Sequence, residues 1–311
     1  MLLVEADPAL RNVLLRESTR VARNSKAAGS EAEAEEAFTK ENFDIVIYDP
    51  GENFSIEFLK RCCAGRPRVI PVLILREPMQ GHLDELIENQ YLRNLIALEG
   101  SLSMREITAT LEKLVQGVVL GLGPYLVEST KLKRIDITDS KQKERYIQEG
   151  LEALGGDKIL SARMASKLGT IMDELIMNMM WDAPLDANGR HLFKHLARTE
   201  RVQLAPEQAG QLTVGYDGRY VGLSAHDPFG GLRLDTVLRY FKKCFFGREQ
   251  IGSEGGGAGL GLYLAYNYCS QFIINVEPGK TTEFVLLFDP STREATSRNG
   301  IKSFHFFERK P

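Results

Sequence analysis

Three short stretches of this chain hold residues able to do chemistry together. In Met172-Asp173-Glu174-Leu175-Ile176-Met177-Asn178-Met179-Met180, a carboxylate and a carboxamide stand four residues apart in an apolar run of helical spacing. Glu174 and Asn178 therefore share one helix face. Both are costly to bury without partners. An Asn oxygen suits Mg²⁺, which takes few protein ligands, and a Glu one turn away suits accepting a proton from a nucleophile or orienting it. The plainer alternative is an amphipathic helix whose polar face meets water. In Tyr220-Val221-Gly222-Leu223-Ser224-Ala225-His226-Asp227-Pro228-Phe229-Gly230-Gly231, an apolar strand ends in an Asp and a Pro/Gly turn. A strand-end carboxylate can accept a hydrogen bond from an adenine amino group, and the glycines let the chain approach a base; an ordinary Asp-Pro turn reads the same way. In Gly255-Gly256-Gly257-Ala258-Gly259-Leu260-Gly261-Leu262, glycines leave backbone N–H groups uncovered just where an apolar helix opens. Helix N-termini of this kind suit a phosphate, although glycine-rich loops also make plain turns.

The order of the three, Glu-x-x-x-Asn, then Asp-x-x-Gly, then Gly-x-Gly-x-Gly, resembles the Bergerat-type ATP-binding fold. That fold is shared by histidine kinases, anti-sigma-factor serine kinases, gyrase B subunits, MutL and Hsp90. The resemblance covers about half of the chain and places an ATP-binding domain, an α/β two-layer sandwich, over 131–290. It implies that Glu174 acts on the nucleophile, that Asn178 holds Mg²⁺ through the ATP phosphates, and that Asp227 reads adenine. It further implies that Gly230 lines the base pocket and that Gly257, Gly259 and Gly261 pass the phosphates, with Asp182 and Leu260 among the nucleotide-binding positions. Gyrase- and Hsp90-type chains carry further large domains, so the compact size looks more like the anti-sigma-factor branch. One departure concerns catalysis: many kinases of this fold carry a Lys or Arg shortly after the Asn, and here Trp181 and Asp182 occupy that region.

These residues need elements to position them. Short apolar strands are expected at 2–5, 45–48, 69–75 and 95–98, separated by helical runs such as 8–22, 32–40 and 55–63. Strands alternating with helices predict a doubly wound parallel sheet covered on both faces. Val4-Glu5-Ala6-Asp7-Pro8 and Asp44-Ile45-Val46-Ile47-Tyr48-Asp49-Pro50 resemble the first and third strands of a response-regulator receiver domain, drawn here over 1–117. That likeness puts Asp49 at the phospho-acceptor position, with Glu5 beside it. Receivers bind Mg²⁺ with an acidic pair, and here Glu5 is followed by Ala6; their Ser/Thr falls on Arg76, and no Lys stands near Leu98-Glu99. Those losses weaken the metal site and the charge stabilisation that phosphoryl transfer needs. Arg76 can instead pair with Asp49, so the expectation is a receiver-like interaction domain that is not phosphorylated.

A linker is expected over 118–130, where Val and Leu suggest that it packs. Beyond it come a strand to 138, a helix capped by Asp139-Ser140, and the run from Lys158 that leads to Glu174. Asp217-Gly218 marks a hairpin between strands at 211–216 and 219–225. An amphipathic lid helix with Arg233, Arg239, Lys242 and Lys243 is expected from 232 to 246, with Arg248 beyond and Gly247 and Gly252 as hinges. In the tail, drawn over 291–311, Lys302-Ser303-Phe304-His305-Phe306-Phe307 can add a strand to a sheet edge or meet a partner.

At 311 residues the chain can fold two cores, and a net charge of −3 without basic blocks excludes nucleic acid as an implied partner. The longest apolar run, at 118–127, is broken by Gly121, Gly123 and Pro124, so no membrane span is expected. Met1 leads straight into Leu-Leu-Val, which leaves no signal peptide in view. Four cysteines without metal or disulfide spacing read as reduced thiols in a cytoplasm. A histidine kinase carrying its own phospho-acceptor is disfavoured, since residues 118–170 hold no His.

The combined expectation is a bacterial signalling protein. A receiver-like domain regulates a Mg·ATP-binding domain that phosphorylates or sequesters a protein partner: a sigma factor, an anti-sigma antagonist or another signalling protein, with a homodimer also open. The competing readings are a nucleotide-sensing module without chemistry and an atypical histidine kinase.

Overall fold

Short runs of Val, Ile and Leu recur through the first third of the chain, and each apolar run becomes a strand. In the computed structural model these are β1 (Leu2–Val4), α1 (Pro8–Val21), β2 (Lys26–Ala28), α2 (Glu31–Lys40), β3 (Ile45–Tyr48), α3 (Glu57–Cys63), β4 (Ile70–Leu75), α4 (Leu83–Glu88), β5 (Asn94–Ala97) and α5 (Met104–Gln116). The structure describes residues 1–22, 24–52, 54–64, 66, 68–98, 103–117, 120–186, 188–246, 260–291 and 300–309. The chain is mixed α/β and divides into two compact units, one of Met1–Val119 with Gly300–Phe307, the other of Leu120–Asn299 with Glu308–Pro311.

In the first unit β1 to β5 are parallel, in the order β2-β1-β3-β4-β5. Leu3, Ile45, Ile47, Val72, Ile74 and Ile96 face α1 and α5, which contribute Leu14, Ile107 and Leu111 to one core. Leu2, Val4, Val46 and Tyr48 are buried as well, so both faces of the sheet are covered. Asp7 caps α1, its carboxylate accepting from the N–H groups of Ala9 (2.7 Å) and Leu10 (3.0 Å), with Pro8 in the first turn. The short β2 carries no strand signal in Lys26-Ala27-Ala28; its pairing with β1 makes it a strand.

The second unit is built on β6 (Leu132–Ile137), α6 (Lys143–Ala153), α7 (Ala162–Met177), β7 (Gly210–Tyr216), β8 (Val221–Asp227), α8 (Leu234–Phe246), α9 (Leu260–Tyr268), β9 (Gln271–Glu277) and β10 (Thr281–Phe288). Its strands are antiparallel, in the order β6-β7-β8-β10-β9. At the β7–β8 turn the Asp217 carboxylate accepts from the N–H groups of Arg219 and Tyr220, and Gly218 takes φ 95°, as the Asp-Gly signature predicts. Val214 shares one face with Met172 of α7 and Gly150 of α6. Phe241 of α8, Tyr266 of α9 and Phe272 of β9 form an aromatic cluster with ring centroids 4.9 to 5.9 Å apart.

The opposite face of this sheet is covered by the stretch expected to be a linker. Gly215 and Gly222 pair across β7 and β8; Leu122 and Leu126 fill the space over Gly222, and Leu132, Thr130 and Leu126 that over Gly215. The Gly121 N–H donates to both oxygens of buried Glu283, at 2.9 Å each, and Ser224 (2.5 Å) and Asn275 (2.9 Å) also donate to that carboxylate. The chain finally returns to the first unit as β11 (Ser303–Glu308), antiparallel to β5 with Phe304 opposite Leu95 and His305 opposite Asn94. Of the two outcomes expected for this tail, it takes the sheet edge.

Candidate functional site

Helix α7 begins where the Ser161 hydroxyl accepts from the Met164 N–H at 3.2 Å, and it buries Leu168, Ile171, Met172, Leu175 and Ile176. Glu174 and Asn178 fall on the half-buried remainder. Past Met177 the helix widens into a single π turn, Asn178–Asp182, closed by the Ala183 N–H donating to the Asn178 carbonyl at 2.8 Å. An i→i+5 turn is wider than an α turn, so residues four apart come nearly into line and Asp182 extends the row begun by Glu174 and Asn178. Such turns cost regular hydrogen bonding and are frequent at functional sites.

The environment of that row is polar and incompletely paired. Burial raises the Glu174 carboxyl above the ordinary range, Asp173 adds to the rise, and Arg198 and Lys143 oppose it. Lys143 pairs with Asp173 at 2.6 Å. The Asn178 amide nitrogen is buried and finds no hydrogen-bond partner among the described residues, nor do Trp181 Nε1 and Asp182 Oδ1. Arg198 reaches back from the irregular segment after the π turn and donates to Asp182 at 2.7 Å while lying 5.5 Å from the Trp181 ring centre.

One pair of the expected site residues, Glu174 and Gly261, is in contact. Gly261, in the first turn of α9, lies so close to Glu174 that a Cβ at this position would collide with the glutamate side chain. The π turn packs against β8, whose last residue is Asp227. Gly231 approaches Leu185, three residues past Asp182, so closely that a Cβ there would stand 3.1 Å from its methyl and press on it. The Asp227 carboxyl is pushed up to about 7 by burial, against the pull of N–H donors from Phe229, Gly230 and Thr282. Gly230 has φ 63°, and a Cβ there would strike the Glu277 carbonyl and the Gly279–Lys280 backbone. Strand alternation turns His226 to the opposite face, where Thr281 is its 2.6 Å partner and burial lowers its pKa.

Other expected residues fall elsewhere or outside the described set. Gly257 and Gly259 lie outside it, as do Gly247, Arg248 and Gly252, and the Leu260 side chain is likewise not described. Of the lid cations, Arg233 is exposed and pairs with Asp235 at 3.2 Å. Arg198 and Lys143 belong to the site without having been foreseen. Arg198 sits in a polar stretch with no periodicity or motif to mark it, Lys143 opens the predicted helix α6 without anything to single it out, and only the fold brings them in.

In the first unit Arg76 grips Asp49 with both prongs, Nε at 2.9 and 3.1 Å and Nη2 at 2.8 Å. Arg76 also lies 3.9 Å from Glu5. Burial and hydrogen bonding with Asp49 raise the Glu5 carboxyl to about 7. Glu99, where the sequence lacks the expected Lys, lies outside the described residues.

No helix among the described residues is long and apolar enough to cross a membrane, and these residues hold no cluster of three or more His, Cys, Asp or Glu able to bind a metal. No protein-family model and no curated protein matches the chain. Among solved structures it is similar to an adenylate cyclase from Rhodopirellula baltica, at 18% identity and TM-score 0.32 over 37% of this chain and 86% of that one. It is also similar to an uncharacterized protein from Neptuniibacter caesariensis (20%, TM-score 0.33, 37% and 85%). A putative pilus assembly-related protein from Burkholderia pseudomallei K96243 is a third (15%, TM-score 0.31, 38% and 90%). At TM-scores this low the likenesses carry no functional weight.

Proposed function

We propose that the second unit is a Mg·ATP-binding domain similar to those of anti-sigma-factor serine/threonine kinases, regulated by a receiver-like first unit in a cytoplasmic signalling protein. One observation carries the reading: Gly261 at the start of α9 lies against Glu174, and the turn Asn178–Asp182 that continues the same helix packs against β8, which ends in Asp227. Residues 87 positions apart thus meet at Glu174 and Gly261.

The residues suit the group they would hold. The buried Asn178 amide nitrogen finds no partner among the described residues, and a buried polar group of this kind is costly unless something engages it. Asn178 would hold Mg²⁺ together with phosphate oxygens, and Asp227 would accept from an adenine amino group. Bound Mg·ATP would supply the phosphoryl group and the metal charge. Glu174 would take the proton of a partner's Ser or Thr hydroxyl at its carboxylate, and its raised pKa brings it nearer the range where a base works best at neutral pH. The first unit's parallel order β2-β1-β3-β4-β5 is that of flavodoxin-like and receiver sheets. With Arg76 already on Asp49, that unit would act as an interaction domain without phosphorylation.

Calorimetric titration of ATP with and without Mg²⁺, on wild type, Asn178→Ala and Glu174→Ala, tests this. Asn178→Ala is expected to weaken Mg-dependent binding by about tenfold or more, the worth of one good polar contact to a charged ligand. Glu174→Ala is expected to bind but not turn over. A wild type that binds ATP but transfers nothing to any partner favours the sequestering module, and one that binds no ATP ends the reading.

A further inference from the structure

The ion pair of Asp182 and Arg198 leaves half of its hydrogen-bonding capacity unused. Arg198 Nη2 donates to Asp182 Oδ2 at 2.7 Å, while Arg198 Nη1 and Asp182 Oδ1 are buried without partners among the described residues. A guanidinium whose sole role was to neutralise this carboxylate would gain by making two parallel bonds. Here the fork is turned, and the Trp181 ring 5.5 Å from its carbon holds it in that orientation. Asn178 Nδ2 and Trp181 Nε1, in the π turn that holds Asp182, are also buried donors without acceptors among the described residues. Arg198 and Asp182 act on the Glu174 carboxyl in opposite directions, so the pair stands within electrostatic reach of it. A cation with one donor left unmatched suits an anion with more than one oxygen, and a phosphoryl group has that chemistry.

We propose that Arg198 is the cation that binds the terminal phosphate of the nucleotide, and that Asp182 is a positioning residue that holds its guanidinium. This rests on the nucleotide reading of the same site. It answers the absence of a basic residue directly after Asn178: the chain places Trp181 and Asp182 there as a seat and delivers the charge from sixteen residues beyond Asp182. The segment between them is folded for that delivery. The Leu192 N–H donates to the Pro184 carbonyl at 2.9 Å, Asp186 Oδ1 accepts from the N–H groups of Asn188 and Arg190, and Leu185 bridges to His191. The charge is an arginine, whose second prong stays available while the first is bound, which a lysine's point charge cannot match.

The test compares ATP with ADP, which differ by the phosphate in question, on the full-length chain with Mg²⁺. Arg198→Ala is expected to weaken ATP binding about tenfold or more and ADP binding by less than about threefold, since one charge-assisted contact is lost from one ligand only. Arg198→Lys should recover part of the ATP preference. Asp182→Asn should lower it less than Arg198→Ala does. Arg134→Ala, which removes an exposed cation on β6, should leave the preference intact. Equal weakening of ATP and ADP in Arg198→Ala, with a lowered melting temperature, would mean a structural role and overturn the proposal. So would an Arg198→Ala protein that keeps the wild-type preference. A wild type that binds neither nucleotide removes the underlying reading, and this one with it.

Discussion

Asp227 shows how one residue links burial to binding. Its folded-state carboxyl lies near 7, well above the ordinary 3.8, because burial outweighs the three N–H donors around it. The folded protein therefore holds a proton there that the unfolded chain releases, between about pH 4 and pH 7, and stability falls as pH rises through that window. This is the opposite of an ion-paired carboxylate. Asp227→Asn should flatten the slope, measured as melting temperature against pH. An adenine amino group donating to Asp227 would favour the charged form. ATP binding near pH 7 should then release a fraction of a proton, seen as a dependence of calorimetric enthalpy on the buffer's ionisation heat and lost in Asp227→Asn. Glu5 has the same sign of shift, toward about 7, from burial and its contact with Asp49. The two carboxyls can be separated because Glu5→Gln would leave the proton release untouched.

At the scale of elements, the most unexpected partnership is between residues 121–126 and the back of the second unit's sheet. Two paired glycines open a trough, Leu122 and Leu126 help to fill it, and Glu283 ties down the Gly121 N–H. Gly222→Val would drive a branched side chain into Leu122 and Leu126, now 3.0 to 3.4 Å from where its Cβ would stand. Overpacking of that kind costs about 1–3 kcal/mol. Glu283→Ala would strip a buried acceptor from three donor groups, and a cost of similar or larger size, about 2–4 kcal/mol, is expected. Glu283→Gln should fall between. Chemical denaturation of the three variants gives the ranking, and a neutral Glu283→Ala would show that the carboxylate does not hold this stretch in place.

At the scale of the whole molecule, the first unit is completed by residues from the far end of the chain. Ser303 accepts from the Ala97 N–H at 2.9 Å, Phe306 donates to the Arg93 carbonyl at 2.8 Å, and buried His305 meets Glu106 at 3.2 Å. A bare β5 edge would be a template for pairing with other chains. Removing residues 300–311 should therefore lower the thermal stability of the first unit and promote self-association, read by calorimetry and light scattering. A truncated chain that stays monomeric with an unchanged melting profile would show that β11 adds nothing to the β5 edge.

Much of this was legible in residue order. Short apolar runs announced β1, β3, β4 and β5, helical runs announced α1 and α7, and Glu174 and Asn178 had to share a face because helical geometry leaves no choice. The Asp-Gly hairpin and the cap at Asp139 were equally local. What the fold alone decided is which local pieces meet: Arg198 on Asp182, Gly261 on Glu174, Leu126 in the glycine trough, and a strand near residue 305 beside one near residue 95. Local periodicity marks the face an element will bury. It carries no label for the surface that receives it, because that choice is made by shape and by unpaired hydrogen bonds once the chain has closed on itself.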